Sequence, residues 1–100
     1  MTPIIYTPEA LADVEEILTF LRSQDPELVE KFESDYRKAL EKVREFPQAW
    51  PKVGRRVRVK IISRRFLYGI FYQYFKATVI VGAVTQLNRR SLGWRGRFRK

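Results

Sequence analysis

The sequence contains no cysteine and no histidine. Without cysteine it forms no disulfide and has no thiolate nucleophile. Without histidine it lacks the side chain that most often serves as a general base or as a metal ligand at neutral pH. Any catalysis would therefore depend on Lys, Arg, Tyr, Glu or Asp, and the sequence predicts neither a metal centre nor a cofactor.

Long apolar runs are also missing. The longest spans seven residues, 66–72, whereas a bilayer-spanning helix needs about 20. The first residues, MTPIIYTPEALADVEE, lack the basic start and the apolar core of a signal peptide. We therefore expect a cytoplasmic protein with no membrane partner. Glycine-rich phosphate loops, GxSxG and HExxH are absent as well, so the sequence has no familiar catalytic signature.

Acidic residues are missing from the second half of the chain, since all eleven lie between Glu9 and Glu45. Residues 1–50 carry six Lys or Arg against these eleven acids, a net charge of −5. Residues 51–100 carry fourteen Lys or Arg and no acid, a net charge of +14. Acidic helices packed on a basic sheet would neutralise part of this charge, but +9 remains over the whole chain. The surplus favours a polyanionic partner, either nucleic acid or an acidic protein.

Two segments in the first half have the pattern of amphipathic helices. Thr7-Pro8 is a typical N-cap and first helical position, and apolar residues follow at helical spacing as far as Leu21. Asp25-Pro26 repeats the start signal, and the second apolar line ends at Phe46-Pro47. Because only about two to four residues separate the segments, we expect two antiparallel helices in a helical hairpin.

Ile4–Tyr6 and three runs in the second half have the pattern of strands. In the first of these runs Val57, Val59 and Ile61 alternate with two cations, so we expect Arg58 and Lys60 on the uncovered face of a sheet. The runs 66–74 and 78–85 are apolar at nearly every position, as central strands are. The short breaks between the runs predict an antiparallel meander.

These elements predict a single domain over residues 1–100 with an α+β fold. The order is β-α-α-β-β-β, and the helical hairpin packs on one face of a mostly antiparallel sheet. A chain of this length is sufficient for one hydrophobic core. Residues 48–54 are expected to form a loop in which Trp50 plugs the open end of that core.

The last fourteen residues, LNRRSLGWRGRFRK, combine six basic residues with Trp94 and Phe98. Basic side chains bind phosphates or carboxylates, and interleaved aromatic residues stack on bases or fill an apolar pocket of a partner. A frayed basic terminus is the alternative, but an exposed Trp normally has a packing or binding use. We therefore predict a target-binding surface whose members are Arg89, Arg90, Trp94, Arg95 and Arg97.

The order of elements and several motifs resemble the RelE/ParE superfamily of type II toxin–antitoxin toxins, and within it the ParE-like branch. Residues 66–72, FLYGIFY, look like the FPYxIxY strand of that family, and residues 83–95, AVTQLNRRSLGWR, look like its AVxH-x-x-RRxPxxW(R) ending. The acidic opening around Asp13 and the stop at Phe46-Pro47 are also similar. Gln86 stands where many relatives have His, and Leu67 and Ser91 stand where they have Pro.

The resemblance implies the toxin of a bacterial type II system, neutralised by a cognate antitoxin that wraps around it in an oligomeric complex. ParE-like members are understood to poison DNA gyrase, so the resemblance implies gyrase as the target and a binder rather than an enzyme. The predicted antitoxin-binding residues are Arg58, Lys60 and Phe71. A basic surface and an apolar sheet edge suit an acidic segment that adds a strand.

Two alternatives remain open. The RelE-like branch cleaves mRNA on the ribosome, and here Lys60, Arg64, Arg65 and Arg89 would stabilise the charge of the transition state. The last 26 residues, however, contain no His, Tyr, Asp or Glu to serve as its general base. The second alternative is a basic nucleic-acid-binding domain without a toxin role, whose affinity would fall steeply with salt.

Overall fold

The computed structural model describes residues 2–87 together with Arg97 and Phe98. Within these residues the chain forms two helices and five strands, namely β1 (Ile4–Tyr6), α1 (Pro8–Gln24), α2 (Pro26–Glu45), β2 (Lys52–Gly54), β3 (Val57–Ile61), β4 (Tyr68–Phe75) and β5 (Thr78–Gln86). The predicted α+β fold is confirmed, with β2 as one additional short strand.

Both helices begin where Thr or Asp precedes a proline. The Thr7 hydroxyl accepts a hydrogen bond from the Ala10 backbone N–H (3.1 Å), and the Asp25 carboxylate accepts one from the Glu27 N–H (3.0 Å). Both are N-cap contacts. The Asp25 backbone N–H also donates to the Leu21 carbonyl (2.9 Å), so a single residue ends α1 and starts α2. The helices pack against each other as the predicted hairpin.

The strands form one sheet in the order β1-β5-β4-β3-β2. β1 runs parallel to β5 and the other neighbours are antiparallel, so the predicted mostly antiparallel sheet is confirmed. A two-residue turn joins β4 to β5, and in it Lys76 and Ala77 have φ angles of 51° and 61°. Positive φ at both positions is what the tightest antiparallel turns require.

β2 is the element that the sequence did not predict. Its three residues follow Pro51 and pair with β3 through Lys52↔Arg58 and Gly54↔Val57, with an irregular register between the two pairs. A strand this short carries no recognisable period, and it exists because it pairs with β3. β2 therefore forms the outer edge of the sheet in a segment that was expected to be a loop.

The main core lies between the helical hairpin and the sheet. Its largest fully buried side chains are Phe32, Val43, Ile70, Tyr72, Val79, Val81 and Val84. The Phe32 ring packs edge-on against Phe66 and Tyr68, with ring centroids 5.4 and 5.9 Å apart. Edge-to-face pairs of this kind add about 1 kcal/mol beyond their buried area, so they help to hold α2 on the start of β4.

The opposite face of the sheet carries a second apolar cluster. It consists of Val57, Val59, Phe71 and Ala83, and Val53, Leu87 and Phe98 pack against it. Successive side chains of β5 point to opposite faces of the sheet, and its register with β4 shifts opposite Phe71 and Tyr72. At this bulge Val81 and Val84 face the helices while Ala83 faces the second cluster.

The prediction that Arg58 and Lys60 lie on the uncovered face of the sheet is wrong. Arg58 lies opposite Tyr72 and Lys60 lies opposite Ile70 across β3 and β4, and both partners belong to the core under the helices. Directly opposed residues point to the same face of a sheet. The period-two pattern correctly separated the cations from the valines, but it does not reveal which face the helices cover.

Trp50 closes the core beside the end of α2, as predicted. Its indole N–H donates to the Lys42 carbonyl (3.2 Å), and its ring packs against the main core. Arg58 donates to the Trp50 carbonyl (2.7 Å), and the Lys60 ammonium lies 4.4 Å from the centroid of the Trp50 ring. Both cations are therefore engaged with the loop that precedes β2.

We expect Tyr72→Phe to lower the free energy of unfolding by about 1 kcal/mol. The Tyr72 hydroxyl donates to the Pro47 carbonyl (2.7 Å), and the substitution leaves that carbonyl without its partner. Urea unfolding measures the change. Tyr74→Phe is the matched control, because Tyr74 lies in the same strand and makes no side-chain hydrogen bond within the described residues. An equal loss in the control would contradict this role of the hydroxyl.

Candidate partner-binding surfaces

A neighbouring strand covers the outer edge of β5 along only part of its length. β1 pairs with residues 79–81, and no described strand borders β5 on that side beyond them. Side chains from the start of α1 continue the edge. Thr7 donates to the Gly82 carbonyl (3.4 Å), and the Val84 backbone N–H donates to Asp13 Oδ2 (2.9 Å). They satisfy backbone groups that a longer β1 would have paired.

Arg97 joins the C-terminal region to the same place. Its guanidinium forms an ion pair with Asp13 Oδ2 and also donates to the Gly82 carbonyl (3.3 Å). The side chains of Asp13 and Arg97 are 13% and 30% exposed, so solvent screens this pair less than a fully exposed one. Hydrogen bonds between charged partners are among the stronger ones in proteins. This contact holds Arg97 against α1 and β5.

Phe98 packs directly over Gly82. A Cβ atom at position 82 would lie 2.5 Å from the Phe98 ring, a distance that no side chain tolerates. Glycine is therefore required at this point of β5 for the ring to approach the backbone. In this position Phe98 packs against the second apolar cluster, on the face away from the helices.

Most of the predicted target-binding surface cannot be placed. Arg97 is described, and its guanidinium contacts Asp13 and Gly82. The other members lie outside the described residues, and they are Arg89, Arg90, Trp94 and Arg95. Their role stays a prediction.

The three predicted antitoxin-binding residues lie on different faces of the sheet. Arg58 and Lys60 face the helical side, where both contact Trp50. Phe71 is 4% exposed and belongs to the cluster on the opposite face. The structure therefore does not bring the three together as one site.

The residues predicted for a nuclease are not brought together either. Arg65 pairs with Asp35 of α2 (Nε–Oδ2 3.0 Å), and this hydrogen bond lowers the pKa of the Asp35 carboxyl. Lys60 is held over the Trp50 ring, and Arg64 is exposed in the loop before β4. Arg89 lies outside the described residues. The cations that can be placed have separate surroundings and share no reaction centre.

Tyrosine is another candidate for a general base, and burial disfavours the three tyrosines whose pKa it raises. Desolvation raises the pKa of Tyr6 and Tyr36, and it raises the pKa of Tyr72 to about 12. These hydroxyls keep their protons near neutral pH. Within the described part of the chain, no three His, Cys, Asp or Glu side chains are grouped to hold a metal ion. Nor does a helix there have the length and apolar character to cross a membrane.

An apolar groove that the sequence did not predict lies at the end of β5. Its larger part has a volume of about 540 Å³ and lies between the turn of the helical hairpin, the start of β4 and the end of β5. The apolar residues that line it are Leu21, Leu28, Phe66, Leu67, Tyr68 and Leu87. A smaller part, of about 330 Å³, adjoins it at Tyr68 and Gln86 and reaches Phe20 of α1, and the carboxylates of Asp13 and Glu16 also line it. Phe20 and Leu67 are 54% and 60% exposed.

One sequence signal could have indicated this groove. Phe20 falls outside the apolar line by which α1 packs on the sheet, and a large aromatic residue on the outer side of a helix is a candidate contact. Leu67 gave no comparable signal, because its exposure depends on how the loop after β3 enters β4.

Comparison with known proteins identifies relatives of this chain. A family model described as the ParE toxin of type II toxin–antitoxin system, parDE, matches residues 4–90. Among solved structures, a chain of the chromosomal ParDE TA system from P. aeruginosa superimposes with a TM-score of 0.67 at 18% identity, over 88% of this chain and 98% of that chain. This likeness shows a shared fold. No curated protein sequence matches significantly.

We expect Asp13→Ala to lower the free energy of unfolding by about 2 kcal/mol, because the Val84 N–H and Arg97 both lose a charged acceptor. Arg97→Gln should cost less, about 1 kcal/mol, because Val84 keeps its bond to Asp13. Urea unfolding gives both values. Glu16→Ala is the control, since it removes an exposed carboxylate from the same helix. A loss at Asp13 no larger than the loss at Glu16 would refute the proposed contact.

Proposed function

Because the chain belongs to the ParE toxin family of type II toxin–antitoxin systems, we propose that it is a toxin that binds and inhibits DNA gyrase and that a cognate antitoxin neutralises it. The family match over residues 4–90 is the observation that carries this proposal. Gyrase is the target that the resemblance to ParE-like toxins implies. The toxin would act in the cytoplasm and form an oligomeric complex with its antitoxin.

Inhibition by binding, without catalysis, fits the surroundings of the described residues. A ribonuclease of the RelE type needs a proton acceptor and cations arranged around one scissile phosphate. Here Lys60 contacts Trp50 and Arg65 pairs with Asp35, so these cations already have separate partners. Burial raises the pKa of Tyr72 to about 12, still further from neutral pH. These contacts support a binder over a nuclease.

The C-terminal region is the proposed gyrase-binding surface. It contains Arg89, Arg90, Trp94 and Arg95 between Leu87 and Arg97. Arginine supplies charge-assisted hydrogen bonds and Trp supplies a large apolar anchor, and these residue types dominate the binding energy of protein interfaces. Arg97 already pairs with Asp13, so it would have to leave that contact to bind gyrase itself.

The apolar groove at the end of β5 is the proposed binding site for the antitoxin. Phe20 and Leu67 are exposed there, and neighbouring exposed apolar side chains mark interaction sites. Arg65 lines the larger part of the groove and no acid does, so that part complements an acidic partner. An amphipathic segment with apolar side chains in the groove and carboxylates over basic residues would satisfy both features.

The purified protein should inhibit DNA supercoiling by gyrase and trap cleaved DNA. Trp94→Ala should raise the concentration for half-inhibition by about tenfold or more, because truncation of a buried aromatic anchor costs about 2 kcal/mol of binding energy. Arg22→Ala is the control, since Arg22 is an exposed cation on α1. Failure of the unaltered protein to inhibit gyrase would refute the target. Cleavage of mRNA in translating ribosomes, lost in Lys60→Ala or Arg65→Ala, would establish the nuclease alternative.

Leu67→Asp should weaken binding of the cognate antitoxin by about tenfold or more. The substitution places a carboxylate in an apolar binding site, and this carboxylate repels an acidic partner. Titration calorimetry with the antitoxin measures the change. Leu11→Asp is the matched control, because Leu11 is 54% exposed on α1 and lines neither part of the groove. Equal losses in the two variants would argue against the groove as the antitoxin site.

A further inference from the structure

Four exposed cations lie at one end of the sheet, namely Lys52, Arg55, Arg56 and Lys76. Three belong to β2 and the β2–β3 turn, and Lys76 belongs to the β4–β5 turn. β3 and β4 are antiparallel, so the start of β3 and the end of β4 lie at the same end of the sheet. The two turns are therefore neighbours there, separated by two strand spacings, or roughly 10 Å.

No carboxylate in the described part of the chain pairs with these four cations. The acids that come closest before them in the sequence, Glu41 and Glu45, pair within α2 with Arg44 and Lys42, both at 3.7 Å. Every residue after Glu45 is neutral or basic. Within residues 2–87, 97 and 98, the end of the sheet thus presents four positive charges that no carboxylate neutralises.

Two of the four cations occupy backbone conformations that favour glycine or asparagine. Arg56 has a φ of 65° and Lys76 a φ of 51°. The left-handed region costs a residue with a Cβ roughly 1–2 kcal/mol. Ala77 shares this conformation because the two-residue turn requires it twice. Glycine would relieve the strain at Arg56 and Lys76 and remove the charge, so these two positions allow the charge to be tested without loss of stability.

We infer that this end of the sheet binds the phosphate backbone of duplex DNA. Over roughly 10 Å of its axis a duplex carries about three phosphates on each strand, which matches the spread of the four cations. An acidic strand added to the edge of β2 is a poorer fit. β2 has three residues, follows Pro51 and pairs irregularly with β3, and edges with these features resist strand addition.

This DNA-binding surface is separate from the apolar groove proposed for the antitoxin. Leu87 and the apolar groove lie at the opposite end of β5 from Lys76. The test of this inference uses DNA without gyrase, so its result does not depend on the result of the gyrase assay. In a toxin that meets DNA together with its target, such a surface would add affinity through a second contact.

The test measures binding of a short fluorescent DNA duplex by anisotropy over a series of salt concentrations. The test variant combines Lys52→Gln, Arg55→Gln, Arg56→Gln and Lys76→Gln. Each lost phosphate contact removes about 0.9 from the slope of log affinity against log salt, so the slope should become shallower by about 3 to 4. The matched control removes four exposed helix cations through Arg22→Gln, Lys31→Gln, Arg37→Gln and Lys38→Gln. It should change the slope by less than one.

A second variant separates binding from folding. Arg56→Gly with Lys76→Gly relieves the backbone strain, so it should raise the urea midpoint while it makes the salt slope shallower by about 2. A stable glycine variant with an unchanged slope would overturn the inference. An equally large decrease of the salt slope in the helix control would overturn it as well. So would a result in which this end of the sheet binds an acidic peptide and does not bind DNA.

Discussion

Packing on the face of the sheet away from the helices depends on which groups pair with the outer edge of β5. β1 is too short to pair with all of β5, and an uncovered strand edge would leave backbone groups without partners. Asp13 supplies the missing acceptor for Val84 and binds Arg97 with the same oxygen. Arg97 in turn brings Phe98 over Gly82, where the ring packs on the second apolar cluster. One carboxylate thus connects α1, β5 and Arg97.

Features that depend on neighbours in sequence were predictable. The helical hairpin follows from two caps, Thr7 and Asp25, each acting within three residues of itself. Features that depend on distant partners were not. β2 exists because β3 lies beside it, and the face taken by Val57 and Val59 depends on Phe71, Ala83 and Phe98 far along the chain. Alternation along one strand contains no information about which layer covers which face.

The candidate site was harder to predict than the fold for a related reason. The charge of Arg58, Lys60 and Arg65 predicts a site role, but the use of a cation depends on what lies beside it. Here the neighbours are Trp50 and Asp35, which come from other parts of the chain. The groove likewise joins Phe20 of α1 to residues around β4 and β5. Composition predicts the kind of partner, whereas the positions of the contacts depend on the fold.

The fold determines which charges of the acidic first half and the basic second half pair with each other. Arg65 with Asp35 and Arg97 with Asp13 are ion pairs that join the basic half to the acidic helices. The pairs Lys42–Glu45 and Arg44–Glu41 neutralise acids within α2 itself. Helical acids that pair locally do not compensate the cations at the end of the sheet. Among the described residues, the positive charge that no acid compensates is therefore concentrated on the two turns at the end of the sheet, whereas Arg97 is held by Asp13.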